Sequence, residues 1–181
     1  MIIGLTGTMG SGKGGLARYL EKKGFQRLIF SDVVNGEILK RGMEITRKNQ
    51  QDVADELRRI DGNYLTKRLL EKVGCGGDAV LDGIRNIAEI NFLRQQKGFV
   101  LIGVDADSII RFNRVVSRGD VRDPKTHEEF LERDKKDRFS ENPEGQQVNL
   151  CLSKADHLIL NNNCEEEMFE GVERILIGLN K

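Results

Sequence analysis

Hydrophobic positions along this chain fall into two alternating kinds of stretch. Short, nearly continuous apolar runs occur at 2–6, 25–30, 79–81, 99–104 and 157–160, and each reads as a strand buried on both faces. The stretches between them are longer and carry apolar residues at helical spacing, as Leu16, Ala17, Tyr19 and Leu20 do after the first run. Strands that alternate with helical crossovers predict an α/β fold, here a three-layer α/β/α domain with a five-stranded parallel sheet. One crossover is much too long. Between the second and third runs lies enough amphipathic sequence for two to three helices, with Val53, Leu57, Ile60 and Tyr64 spaced to form one apolar face. Asp61-Gly62-Asn63 reads as the end of one helix and the start of the next. A helical insertion over 31–73 is therefore expected.

Composition narrows the class without naming a function. A chain of 181 residues suits a single domain. Its 29 basic and 29 acidic residues cancel, which argues against coating a nucleic acid or an anionic membrane. No apolar run is long enough to span a bilayer, and Met1 leads straight into the first strand, leaving no room for a signal peptide. Cys75, Cys151 and Cys164 are odd in number and lack metal-ligand spacing, so they read as reduced thiols of a cytoplasmic protein. Small-molecule partners are expected; the sequence does not fix the oligomeric state.

The glycines change the picture. Gly7-Thr8-Met9-Gly10-Ser11-Gly12-Lys13 fits the spacing G-x-x-x-x-G-K between a strand and an amphipathic helix, followed by Gly14 and Gly15. Such a loop turns backbone N–H groups onto an anion at a positively polarised helix N-terminus, with Lys13 reaching the outer phosphates. The hydroxyl residue usually found after the lysine, on the Mg²⁺ side, is replaced by Gly14. A bare turn is the plain alternative, and strand, spacing, lysine and helix together speak against it.

Three further stretches carry candidate chemistry. Asp82 follows the apolar run at 79–81, at the carboxyl end of a buried strand where α/β sheets bind ligands. It is a candidate for holding Mg²⁺ directly or through its water shell, with Gly83 allowing close approach and Arg85 gripping a phosphate. The alternative is a strand-end cap for a helix starting near Asn86. Arg111, Arg114 and Arg118 lie at i, i+3 and i+7, followed by Arg122, Arg133 and Arg138, and Thr126 with Glu129 reads as a capping box. An arginine-rich helix–loop–helix over 111–138 is what a lid over phosphates would look like. Acidic neighbours leave a solvated ion-paired face as its alternative. Asn162, in the Asn161-Asn162-Asn163 turn after the last strand, is a candidate contact for a nucleotide base.

These residues resemble a family. The loop at 7–14 is similar to that of adenylate kinases, in which Gly also follows the lysine, and Leu81-Asp82-Gly83-Ile84-Arg85 resembles their Asp-Gly-Phe-Pro-Arg stretch. Phe30-Ser31-Asp32-Val33-Val34 sits where those kinases begin the helix that receives the monophosphate, which implies acceptor contacts from Ser31, Asp32 and Arg85. The segment 113–119 resembles the start of their lid. The end of the chain, 155–162, looks more like dephospho-CoA kinases and an archaeal group of nucleotide-kinase-like proteins. Two departures stand out: Gly15 replaces a Thr, and Asn35 replaces the arginine that grips the monophosphate. The resemblance implies a P-loop nucleotide kinase using ATP and Mg²⁺, with catalytic roles for Lys13, Asp82, Arg85, Arg114 and Arg118. A dephospho-CoA-kinase-like enzyme and a nucleotide-sensing module with little catalysis are the alternatives.

Overall fold

A computed structural model describes residues 1–74, 77–121 and 123–179. Cys75 and Arg122, named above, lie outside the described residues. Five parallel strands, β1 (Ile2–Gly7), β2 (Gln26–Ile29), β3 (Ala79–Ile84), β4 (Phe99–Asp105) and β5 (His157–Leu160), form one sheet in the order β2-β3-β1-β4-β5. The third apolar run continues beyond Leu81, so Asp82 and Gly83 belong to the strand itself. Along β3 the side chains alternate between the two faces, Leu81 and Val80 entering separate cores.

One core lies beneath α1 (Lys13–Lys22) and α9 (Glu165–Leu179), where Leu16, Leu20, Met168 and Val172 close over Ile3, Leu5 and Val104. The other gathers the insertion onto the opposite face. That insertion comprises α2 (Phe30–Lys40), α3 (Arg47–Ile60) and α4 (Tyr64–Leu70), with α2 following β2 without a loop. Val53 and Leu57 enter the core as their spacing predicts, and Tyr64 packs at its edge, but Ile60 is 70% exposed. Position 60 is the last of α3, where the chain turns away and the apolar stripe no longer meets a neighbour. Asp61, rather than Asn63, holds that turn: its carboxylate accepts from the Asn63 N–H at 2.9 Å, and Asn63 makes no side-chain cap.

The remaining helices are α5 (Ile87–Leu93), α6 (Ser108–Arg118), α7 (His127–Arg138) and α8 (Val148–Ser153). Helices α6 and α7 form the expected helix–loop–helix. Thr126 caps α7 by accepting from the Glu129 N–H, but the Glu129 carboxylate takes the Lys125 N–H instead of closing the box. No helix among the described residues is long and apolar enough to cross a membrane.

Candidate functional site: a phosphate loop facing a cation-lined cavity

The carboxyl ends of β1 and β3 place the loop and Asp82 side by side, because these strands are hydrogen-bonded neighbours. Beyond β1 the chain turns tightly through Gly10 and Gly12. Gly12, at φ 96°, is the N-cap of α1 in a left-handed conformation, and no side chain caps the helix. The loop is also crowded from behind. A Cβ at Gly10 would sit 2.5 Å from the Arg111 carbonyl oxygen, and one at Gly12 would collide with the Asn161 side-chain amide. That amide donates to the Ser11 carbonyl at 2.9 Å, so the turn after β5 braces the loop. The buried Ser11 hydroxyl has no hydrogen-bond partner. An uncapped helix start, with no acidic residue in its first turn, is a cradle that fits an oligophosphate.

Gly14 and Gly15 differ in the room around them. A Cβ at Gly14 meets only the Arg18 guanidinium, at 3.8 Å, whereas one at Gly15 would come 2.9 Å from a Glu165 carboxylate oxygen. Gly14→Ser is therefore expected to fold and to gain about 0.5 kcal/mol from helix propensity. Gly10→Ala is expected to lose stability and nucleotide affinity together, since backbone rather than a flexible side chain blocks it; urea unfolding and nucleotide titration of both variants check this.

Asp82 is the pivot of the site. A β-bulge in β3, opposite the Leu5–Thr6 step of β1, leaves Gly83, at φ 107°, without a partner in β1 just after it. One Asp82 oxygen pairs with the Lys13 ammonium and the other accepts from Arg27 Nη2 at 2.8 Å. The Asp82 side chain is 5% exposed, Lys13 15% and Arg27 17%. Burial works against the Asp82 charge, yet Lys13 and then Arg27 outweigh it and hold its pKa below the ordinary aspartate value. Asp82 does not cap α5; Asn86 does that, in a full capping box with Glu89.

A cavity of about 900 Å³ opens beside this pair, between the insertion and α7. It brings together Met9, Lys13, Ser31, Asp32, Asp82, Arg85 and Arg118 from the expected residues. Ser31 and Asp32 sit in the first turn of α2, whose cap position is Ile29, so Asp32 complements the helix dipole rather than capping it. Nine Lys and Arg side chains line the cavity against three carboxylates, Asp32, Asp82 and Asp137. Arg27, Arg47, Lys48, Arg58 and Lys136 are the cations the motif reading passes over, while Arg133 of the expected lid does line the cavity. Arg85 donates to Gln146 at 2.6 Å and lies 4.0 Å from Asp137. Burial raises the Asp137 pKa in spite of Arg85 and Arg47.

Two expected residues lie elsewhere. Arg114 donates to the main-chain carbonyls of Asn161 and Asn163, which commits it to the turn after β5 and away from the cavity. Asn162 turns its side chain to the Asp107 N–H at 2.8 Å and does not line the cavity. The three arginines of the i, i+3, i+7 stripe thus go to three different places. Arg111, 2% exposed, is bidentate to Asp134 and donates to the Met9 and Ala106 carbonyls. Arg118 pairs with Asp123, which also takes Arg47 at 2.6 Å. Asp123 ties the lid loop to the start of α3.

As to a metal, no group of three or more His, Cys, Asp or Glu side chains converges among the described residues. Asp82 would meet Mg²⁺ only together with phosphate oxygens and water, a shared shell that Mg²⁺ ordinarily accepts.

Residues 3–149 match the AAA domain family. A UPF0200 protein of Thermococcus gammatolerans is 33% identical, with 100% of this chain and 98% of that protein covered. One of Thermococcus kodakarensis is 34% identical over 97% of this chain and 96% of its own. Among solved structures, TT1252 of Thermus thermophilus superposes with a TM-score of 0.65 at 22% identity, over 99% of this chain and 97% of that one. A shikimate kinase of Bacteroides thetaiotaomicron reaches 0.59 at 14% identity, over 100% and 99%. The fold is that of P-loop kinases, and with its glycine loop, parallel sheet and matched length the chain belongs to the AAA domain family and to the UPF0200 proteins.

Proposed function

We propose that this protein transfers a phosphoryl group from ATP to a small nucleotide-like acceptor held in the cavity. The observation that carries this reading is the juxtaposition at Asp82: the phosphate-loop lysine on one side, and on the other a cavity with a threefold excess of cationic over acidic side chains. A mere ATP-holding loop has no need of such a chamber. The backbone over 8–14 would cradle the donor's phosphates while Lys13 holds their outer oxygens. Asp82 would orient the metal's water shell or the acceptor side, and magnesium, when bound with the nucleotide, would offset phosphate charge. Arg85 and Arg118 lie where they would balance charge on the transferring group, while Ser31 and Asp32 would contact the acceptor. Base contact by Asn162 would require it to give up Asp107.

Asp137 favours a second reading. A half-buried carboxylate with a raised pKa, in the cavity wall, suits a proton acceptor for a hydroxyl, as transfer to dephospho-CoA would need. A coupled assay with ATP and Mg²⁺ against nucleoside and deoxynucleoside monophosphates and dephospho-CoA separates the two. Turnover on one monophosphate is the expected result. Turnover on dephospho-CoA alone favours the hydroxyl reading, and tight nucleotide binding without transfer to any acceptor replaces both by a sensing module.

A further inference from the structure

Arg27 belongs to no motif, and its partial burial, with Nε wholly buried, needs a cause. It lies on β2, where Ile29 pairs with Asp82 across the sheet, so the side chain two residues earlier runs along the cavity floor to the Asp82 carboxylate. A guanidinium offers five N–H donors in a rigid fork. Among the described residues the one partner of Arg27 is Asp82, met by a single Nη at 2.8 Å, and Nε is buried with no acceptor at all. Burying a cation is costly unless its donors are used, and most of this fork is unused. Lys13 competes for the same carboxylate, so two cations share one anion in a nearly dry corner.

The surroundings point the unused donors at a ligand. Other cavity arginines are already engaged, Arg58 with Glu89 and Asp55, Arg47 and Arg118 with Asp123, and Arg85 with Gln146. Helix α2, which forms the facing wall with Ser31 and Asp32, brings no cation there. Asn35 on that helix is itself occupied, accepting from Gln50 at 2.7 Å.

We propose that Arg27 is the acceptor-side anion ligand: one arm holds Asp82 and the remaining donors take a phosphate oxygen of the acceptor, so that the cavity selects an acceptor bearing a phosphate. This deepens the kinase reading and rests on it for the identity of the two sides. The guanidinium fork matches a phosphate edge where a lysine would supply only a point charge.

The test is equilibrium binding with a non-hydrolysable ATP analogue filling the phosphate loop. Wild type is titrated with each of the four ribonucleoside 5′-monophosphates and with its parent nucleoside. At least one monophosphate is expected to bind about tenfold or more tighter than its nucleoside, and Arg27→Gln is expected to erase that difference in a protein that still binds the ATP analogue. Arg27→Lys, which keeps the charge and serves where the glutamine variant fails to fold, should retain part of the preference. A wild type indifferent to the phosphate overturns the proposal. So does a folded Arg27→Gln or Arg27→Lys with the preference intact. No turnover is needed, so the two readings fail separately: loss of the preference in a protein that phosphorylates nothing keeps this site and discards the kinase. Transfer with an undiminished preference does the reverse.

Discussion

Lys13→Ala is expected to lower ATP affinity about ten- to hundredfold, the usual loss when a hydrogen bond to a charged group is removed. Phosphoryl transfer should fall by a further factor of about 10²–10³, because a preorganised cation matters most where charge develops. The same substitution has a signature in acid. Asp82 is held below its ordinary value of 3.8 by Lys13 and Arg27 against the effect of burial. The stability that this depressed pKa confers is fully present above 3.8 and is lost as the pH falls through the lower folded value. Without Lys13 the folded pKa rises toward the unfolded one, so that contribution shrinks and acid unfolding begins at a higher pH. Near neutrality the fold should survive, since Arg27 still partners the carboxylate. Isothermal titration with ATP, together with urea midpoints between about pH 3 and 5, reads both effects. Unchanged nucleotide affinity in a folded Lys13→Ala would remove the phosphate loop from the site.

What the sequence shows of this site is what is contiguous. Gly7 to Lys13 announces strand, turn and helix within a dozen positions, and the strand runs name the sheet because buried parallel strands must be apolar. Burial on both faces fails at the edge strands β2 and β5, where Gln26, Leu158 and Leu160 of those runs are exposed. Asp82 is legible for a related reason, as a carboxylate ending such a run. Arg27 is not. It enters the site only because β2 lies beside β3 at a register that sets Ile29 against Asp82, a pairing across more than fifty residues that no local pattern encodes. A basic residue beside Gln26 at the start of a strand that ends in Leu28 and Ile29 is the available signal. The arginine stripe of α6 shows the converse. Spacing places Arg111, Arg114 and Arg118 on one helix face, but each long side chain spans several ångströms and finds its own partner, in Asp134, Asn161 and Asp123. Ile60 fails through position, since a periodic stripe says nothing of where the neighbouring helix ends.

The pairing of Arg111 with Asp134 also changes what a lid can mean here. Asp134 accepts from Arg111 at 2.6 and 2.8 Å and from Arg138 at 3.0 Å, and Arg138 reaches Asp105, which in turn accepts from the Thr8 hydroxyl at 2.6 Å. Helix α7 is thereby clamped to the phosphate loop. Asp134→Asn would strand a guanidinium that is only 2% exposed. The expected loss is about 3–5 kcal/mol, because a buried charge deprived of its partner keeps its desolvation cost. For a chain of this size that lowers Tm by roughly 6–20 °C. The double variant Arg111→Met with Asp134→Leu removes both charges, and most of the stability should return, as apolar replacements of buried pairs generally allow. Nucleotide affinity should not return with it, because Arg111 also donates to the Met9 carbonyl at 3.2 Å and so holds the loop's turn. Calorimetry and ATP titration on the two variants separate these roles. Recovery of both would show the network to be scaffolding alone, whereas recovery of stability without affinity makes α6 part of the phosphate site.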